Sequence, residues 1–448
     1  MAGGLIVSKL PSFTEVLDRA SWSRYHTILF IVVSANYFLD GVMFSIAPLL
    51  LYLIAPVEVA GLVFALNLLA EAAGAIILGR LADALGRRVM FAVSLAIEVA
   101  GLLILAIAYD NLVALALGTS LMTFGIGGEF GAAYSAIAEL SPARNRGKVL
   151  MLSTNFWNIG AAFIAGLSLA YAAIAVEPEA QARFLLAAGL ATAIVAGLAR
   201  LAMPESPRWL VAKGRVAEAE EWVRRITGYN GPLDMSLPRE TSAIGLIEAL
   251  TRFSFRFIVL AVVTVAQYAT YDLTAYYIPY APGFKLGEEA VPYVVFSANL
   301  GASVGAFLLI PLIDRSRRVS VVASFAGGFL TALLVVAAHY TGSPIAFYTA
   351  IFINLIFSEW AWASLSVLQS ELFPTGVRAS VVGALTSLQG VTGAVLVYVS
   401  TLMSVNVMFA FILALWLAGT AAAAAWRARG VESAGRSVEE LVVTAERL

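Results

Sequence analysis

The sequence predicts an all-α membrane protein with twelve transmembrane helices arranged as two pseudo-symmetric bundles of six. Three observations predict it. Hydrophobic residues make up 60% of the 448 and charged residues only 13%, with a mean hydropathy of +0.87, far from the balance of a soluble domain. Twelve apolar runs each reach the roughly 20 residues a helix needs to cross the hydrocarbon core. One long polar interruption, residues 204–253, divides those runs six and six.

In chain order, residues 1–24 lack a signal-peptide apolar region and cleavage site, and TEVLDRASW reads as a short interfacial helix on the cytoplasmic side. The first bundle spans 25–203, with runs near 25–53, 57–79, 88–109, 111–136, 148–175 and 183–203. The cytoplasmic linker 204–253 follows. In it, Val216, Trp222, Val223 and Ile226 share one helical face, and GYNGP supplies turn residues. The second bundle spans 254–427, with runs near 255–279, 290–313, 319–338, 345–370, 379–403 and 406–427, and a tail occupies 428–448. With the N-terminus inside, the outer loops hold only Arg183 and Lys285, so basic residues concentrate on one side. That pattern predicts that both termini are cytoplasmic, and the plasma membrane is the expected location.

Composition also excludes functions. A net charge of −1 argues against nucleic acid, and with no cysteine and only His26 and His339 there is no disulfide, thiolate nucleophile or Cys/His metal site. No GxxxxGK[ST] motif is present, so an ATP-binding P-loop is not expected. The expectation is a monomer that is not an enzyme, with no cofactor or metal, whose partners are the lipid bilayer, a small-molecule substrate and protons.

The two halves repeat each other, as transporter bundles commonly do. AELSPARNRG follows the fourth run and SELFPTGVRA the tenth; both fit ELxPxxxR, with Glu139 and Arg146 in one and Glu371 and Arg378 in the other. The offset from Glu139 to Glu371 is 232 residues, and it brings Asp83 to within one residue of Asp314. Applied to Asp40, in SANYFLDGVMFSIAPLL, it lands on Asp272. An aspartate at the centre of a membrane helix costs about 2.5–3.5 kcal/mol on insertion scales and by default marks a functional site. Two at equivalent positions suggest facing walls of one cavity.

These motifs resemble the major facilitator superfamily, and within it the sugar porters. GRLADALGRR matches the superfamily's loop signature at Gly79, Asp83, Gly86, Arg87 and Arg88. PESPRWLVAKGR at 204–215 looks like the sugar-porter segment after the sixth helix, and VESAGRSVEE at 431–440 is similar to its C-terminal counterpart. QYATYDLTAYYIP at 267–279 resembles the seventh helix, aligning Gln267, Tyr276, Tyr277 and Pro279. The departures fall in the interior: Ala266 replaces the first of a glutamine pair, Asp272 an asparagine, and Thr119 the fourth-helix arginine that stands opposite the first-helix aspartate. GIGGEFG in the fourth helix looks like the metabolite:proton symporter branch and brings in Glu129.

The resemblance implies a major facilitator fold working by alternating access. It also implies a charged gate of Asp83, Arg87, Arg88, Glu139, Arg146, Asp314, Glu371 and Arg378 that bridges the halves on the cytoplasmic side. The spans carry the acids Asp40, Glu71, Glu98, Glu129, Asp272 and Glu359, with no lysine or arginine deep in any of them. Desolvation disfavours an ionised carboxylate, which suits groups that load and release protons; Asp40, Glu129 and Asp272 are the proton-coupling candidates. Glu129 could instead make a packing hydrogen bond, and Glu98 suggests a partner on a neighbouring helix. Substrate contacts are expected from Tyr37, Gln267, Tyr271, Asp272, Tyr276 and Trp362. The resulting expectation is proton-coupled symport of a small neutral sugar- or polyol-like solute. An organic-cation or drug antiporter is the alternative, ahead of a passive facilitator or a non-transporting sensor.

Overall fold

The computed structural model describes residues 10–54, 57–172, 174, 177–237, 245–287, 290–400, 403–436 and 440–441. Twelve of its helices are long and apolar enough to cross a membrane. A short helix, α1 (Phe13–Asp18), precedes the first six: α2 (Arg24–Ile54), α3 (Val57–Leu85), α4 (Arg87–Ala108), α5 (Leu112–Leu140), α6 (Arg146–Ala172) and α7 (Pro178–Arg200). Three short helices follow, α8 (Pro207–Ala212), α9 (Val216–Thr227) and α10 (Leu246–Arg252). The second six are α11 (Ser254–Asp272), α12 (Val291–Ile313), α13 (Arg317–Thr341), α14 (Pro344–Glu371), α15 (Arg378–Ser400) and α16 (Val405–Arg429).

The helix ends follow from local chemistry. Asn111 caps α5 by accepting from the backbone N–H of Val113 and Ala114 at 2.9 and 3.1 Å, and Ser316 and Ser343 cap α13 and α14 in the same way. Proline occupies the first turn of α7 and α14, where its missing N–H costs nothing. Gly228 and Gly342 end α9 and α13 with φ of 72° and 70°, the left-handed geometry that glycine adopts without strain.

Buried apolar residues form two main clusters. One is built mainly from α2–α7 and reaches into α12, α14 and α15; the other lies within α10–α16. The halves meet where α15 packs on α3 and α5, and where α12 and α14 pack on α6. Two glycines permit that approach: a Cβ at Gly383 would collide with the carbonyl of Ala75, and one at Gly131 with the carbonyl of Ala379. Gly131 is the last glycine of GIGGEFG, so part of that motif serves the closing of one half on the other.

The seventh span is interrupted. α11 stops at Asp272, and residues Leu273–Tyr277 continue as a π-helical turn, then a 3₁₀ turn to Tyr280. The apolar run predicts one continuous helix to 279; the π turn instead begins directly after Asp272, an expected binding residue, and such turns frequently fall at functional sites.

Candidate functional site

A small central cavity of about 40 Å³ lies between the halves. The first half contributes Phe44 from α2, Phe130 from α5, and Thr154, Trp157 and Asn158 from α6. The second contributes Gln267, Tyr268, Tyr271 and Asp272 from α11 and Glu359 and Trp362 from α14. The Asn158 amide donates to Glu359 at 3.0 Å, a bond between the halves. Tyr271 donates to Asn299 at 3.1 Å, and Gln267 to the Ser358 hydroxyl at 3.5 Å. Trp362 packs against Phe130 and Tyr268, each with ring centroids 5.8 Å apart. Glu359 Oε1 and Gln267 Oε1 are buried and accept no hydrogen bond from protein groups. Two carboxylates and six aromatic rings thus line the cavity, with no basic side chain among its lining residues.

Of the residues expected to touch substrate, the structure brings Gln267, Tyr271, Asp272 and Trp362 to this cavity. The side chain of Tyr276 lies outside the described residues. Tyr37 does not line the cavity; it is fully buried against Phe130, with ring centroids 6.1 Å apart. Glu359, Asn158 and Trp157 were not among the expected contacts. Glu359 could have been found as an acid one turn from Trp362 in the tenth span.

Asp40 does not face Asp272 across one cavity. It lies in a separate, sealed cluster within the first half, where oxygens of Asp40, Glu98 and Glu129 all approach within 4.8 Å of one another. All three residues are at most 1% exposed. Asn36 donates to Asp40 at 3.1 Å and also to Glu129, and the Ser94 hydroxyl donates to Glu129. The expectation that no base reaches this region is corrected by Arg200. From the last turn of α7 its guanidinium reaches inward to Glu129, at 2.9 Å to Oε1 and 3.1 Å to Oε2. Its apolar stem lets it extend along the helix from the membrane edge, a reach that linear depth in the sequence does not reveal. Thr119 instead binds α5 to α3, donating to Asn67 at 2.9 Å.

On the face that carries α1 and α8, the expected gate residues are gathered. Glu139 Oε1 accepts from Arg87 and from Arg378 of the other half, both at 2.8 Å, and all three side chains are fully buried. Asp83 crosses between the halves to the start of α15, accepting from the Ser380 N–H and hydroxyl at 2.9 and 2.8 Å, where the helix N-terminus favours an anion. Its repeat mate Asp314 stands 3.5 Å from Lys148 at the start of α6. Glu371 pairs with Arg317 inside its own half at 3.2 Å and accepts from Ser433 at 2.6 Å. Arg146 departs from the repeat: it binds Asp18 of α1 at 2.7 Å, and Arg208 joins the same carboxylate at 2.9 Å. Arg88 does not join the ion pairs expected of it. It follows Arg87 on the helix, so its side chain points out and is exposed, and only its backbone N–H enters the network.

The two polar segments after the sixth and twelfth spans do equivalent work. Glu205 caps α4 by accepting from the N–H of Arg87 and Arg88 at 3.2 and 3.3 Å, and Glu432 caps α13 through the N–H of Arg317 and Arg318 at 2.8 and 3.4 Å. Burial outweighs these donors at Glu205 and pushes its carboxyl up. At Glu432 desolvation pushes the same way but less, and the Ser316 hydroxyl with the N–H groups of Ala434, Arg317 and Arg318 holds the carboxyl below the usual glutamate value. A depressed carboxyl contributes stability that is present above its unfolded-state value and is lost as pH falls through its folded-state value. Glu432→Ala should therefore cost about 0.5–2 kcal/mol at neutral pH. Thermal melts should find the deficit shrinking toward pH 4, and an unchanged deficit there would remove the cap as its cause. Ser437 and Glu439 of the C-terminal motif lie outside the described residues.

Two six-helix bundles around a shared cavity, closed on one face by ion pairs between them, define a multi-pass membrane transporter of the major facilitator class rather than an enzyme. Residues 19–442 match the family described as "Sugar (and other) transporter", and the chain belongs to that family. It is 27% identical over 400 residues to the inner membrane metabolite transport protein YgcS of Escherichia coli (strain K12), covering 85% of each chain. It is also 27% identical over 392 residues to plastidic glucose transporter 4 of Arabidopsis thaliana, covering 81% of this chain and 68% of that one. Among solved structures, the proton:xylose symporter XylE bound to 6-bromo-6-deoxy-D-glucose superposes with a TM-score of 0.77 at 16% identity, covering 95% of this chain and all of the other. That similarity concerns the fold.

Proposed function

We propose that the protein is a monomeric proton-coupled symporter that moves a small neutral polyhydroxylated solute across the plasma membrane by alternating access, with both termini in the cytoplasm. The observation that carries this reading is the central cavity, whose polar groups come from both halves while one face of the molecule is locked by Glu139, Arg378, Asp83 and Ser380. Rocking the halves apart at that lock would expose the same residues to the other side.

Gln267, Tyr271, Asp272 and Trp362 hold the solute, with Glu359 and Asn158 beside them. Hydroxyl groups donate to the unpartnered oxygens of Glu359 and Gln267, and a sugar ring stacks on Trp362. Asp40 is the principal proton site, with Glu129 as its charged neighbour and Asp272 placed to link protonation to the cavity. At about 40 Å³ the cavity is far smaller than the few hundred Å³ of an open ligand pocket, so a sugar enters by moving side chains such as Phe130 and Trp362 apart.

One observation favours a second reading. Two carboxylates and six aromatic rings without a base also suit an organic cation held over a ring, exchanged for protons. A thermal-shift screen of the purified protein against sugars, polyols and organic cations at two pH values separates the readings. Stabilisation by sugars or polyols supports the first. Stabilisation by cations alone, weakened by added protons, replaces it with the antiporter.

A further inference from the structure

We propose that the sealed cluster of Asp40, Glu98 and Glu129 holds two protons, one on Asp40 and one on Glu98, around the Glu129–Arg200 ion pair. The proposal rests on the reading of the protein as a proton-coupled transporter and adds Glu98 as a protonation site.

The donors decide it. Glu129 accepts three hydrogen bonds, from Ser94 on Oε1 and from Asn36 and Arg200 on Oε2, and a second nitrogen of Arg200 stands 2.9 Å from Oε1. That is the setting of an ionised carboxylate paired with a guanidinium. Asp40 receives one donor, from Asn36 on Oδ2, and its Oδ1 receives none. Glu98, with no exposed surface, receives no donor on either oxygen. A buried anion without donors is not sustained. As neutral acids, both side chains lose the charge that burial penalises and become donors themselves, and one oxygen of each of the three carboxyl groups lies within 4.8 Å of the others.

Charge leads to the same count. Asp40 and Glu98, on α2 and α4, act on each other, and both face the charges of Glu129 on α5 and Arg200 on α7. Tyr37, on α2, is the remaining titratable neighbour. Three carboxylates and one guanidinium carry a net −2 when all are ionised, and two protons bring the buried cluster to zero. A metal ion fits less well, because Arg200, Ser94 and Asn36 already fill the acceptor positions of the central carboxylate. The sequence makes room for Glu98 as well: a side chain at Gly125, the first glycine of GIGGEFG, would collide with its Cγ.

The test counts protonated acids in the purified, full-length protein without substrate or gradient. Infrared spectra at neutral pH are compared in the carbonyl-stretch region of protonated carboxylic acids. Asp40→Asn and Glu98→Gln should each remove one band of similar area, and Glu129→Gln none. Loss of no band in Glu98→Gln, or loss of one in Glu129→Gln, overturns the proposal. Melting supplies a second readout, since an amide is the natural stand-in for a neutral acid. Glu98→Gln should melt close to the parent, whereas Glu129→Gln should melt well below it, with Arg200 left uncompensated. A Glu98→Gln variant that fails to fold, or melts as low as Glu129→Gln, means that Glu98 is ionised and also overturns the proposal. Because no transported solute is used, the result is independent of symport: bands as described with no coupled uptake would sink the symport reading alone.

Discussion

Glu139→Gln should release the locked face of the transporter. In the structure one oxygen of Glu139 joins Arg87 of its own half to Arg378 of the other, at 2.8 Å each, with no exposed surface on any of the three. Removing one member of a buried charged set costs about 3–5 kcal/mol, chiefly through the charges left unpaired. Opening that face lets water reach both guanidinium groups, so the cost falls on the locked state. The equilibrium between locked and open forms should then move by roughly 150- to 4,000-fold, until the open form saturates. The chain has no cysteine, so Thr154→Cys in the central cavity gives a single reporter for an impermeant thiol reagent applied from the side of the Glu139 lock. Labelling should accelerate strongly in the Glu139→Gln background. Glu371→Gln, whose partners Arg317 and Ser433 lie in its own half, should lower the melting temperature with far less effect on labelling. Equal acceleration by both would mean that the asymmetry between the two ELxPxxxR copies has no part in the lock.

The second large effect is expected at Asp40. Asp40→Asn keeps the shape of the side chain and its contact with Asn36 but removes the titrating group. Gradient-driven accumulation in liposomes should fall to equilibration, while exchange of labelled for unlabelled solute persists. One pH unit is worth about 1.4 kcal/mol per proton, so one proton per solute limits accumulation to roughly tenfold per unit and two protons to roughly a hundredfold. The parent protein's limit thus reports how many protons of the cluster are transported. If Asp40→Asn still concentrates the solute, the proton travels elsewhere, and Glu98 and Asp272 become the next positions to replace.

Much of this architecture was legible in the sequence because hydropathy and charge asymmetry are averaged over whole spans. The twelve helices needed only run lengths, and the conserved spacing between Glu139 and Arg146 in one half and Glu371 and Arg378 in the other pointed to the gate. Side-chain direction was harder to read. An offset of 232 residues places Asp40 and Asp272 at equivalent points along the backbone, yet α2 runs unbroken past Asp40 while α11 gives way to a π turn directly after Asp272. One acid is therefore sealed among helices of its own half and the other meets the cavity. Arg88 was misread for the same reason, since the next residue along a helix points about 100° away from its neighbour Arg87. Arg200 was missed because its charge was assigned to the membrane edge by position, whereas a long side chain is placed by where its head finds a partner.

The polar segment between the bundles has a further consequence. Its first part is tied to the helices before it: Glu205 caps α4, Arg208 binds Asp18, and the backbone of Asp234 pairs with Pro11 and Phe13. Its last part, α10, packs on α11 and α15. Residues 238–244 between them are the only covalent thread from one half to the other. The halves therefore recognise each other through surfaces rather than through the peptide chain, as two subunits of a heterodimer would. A gene divided at that point encodes two polypeptides that each carry their own polar clasp.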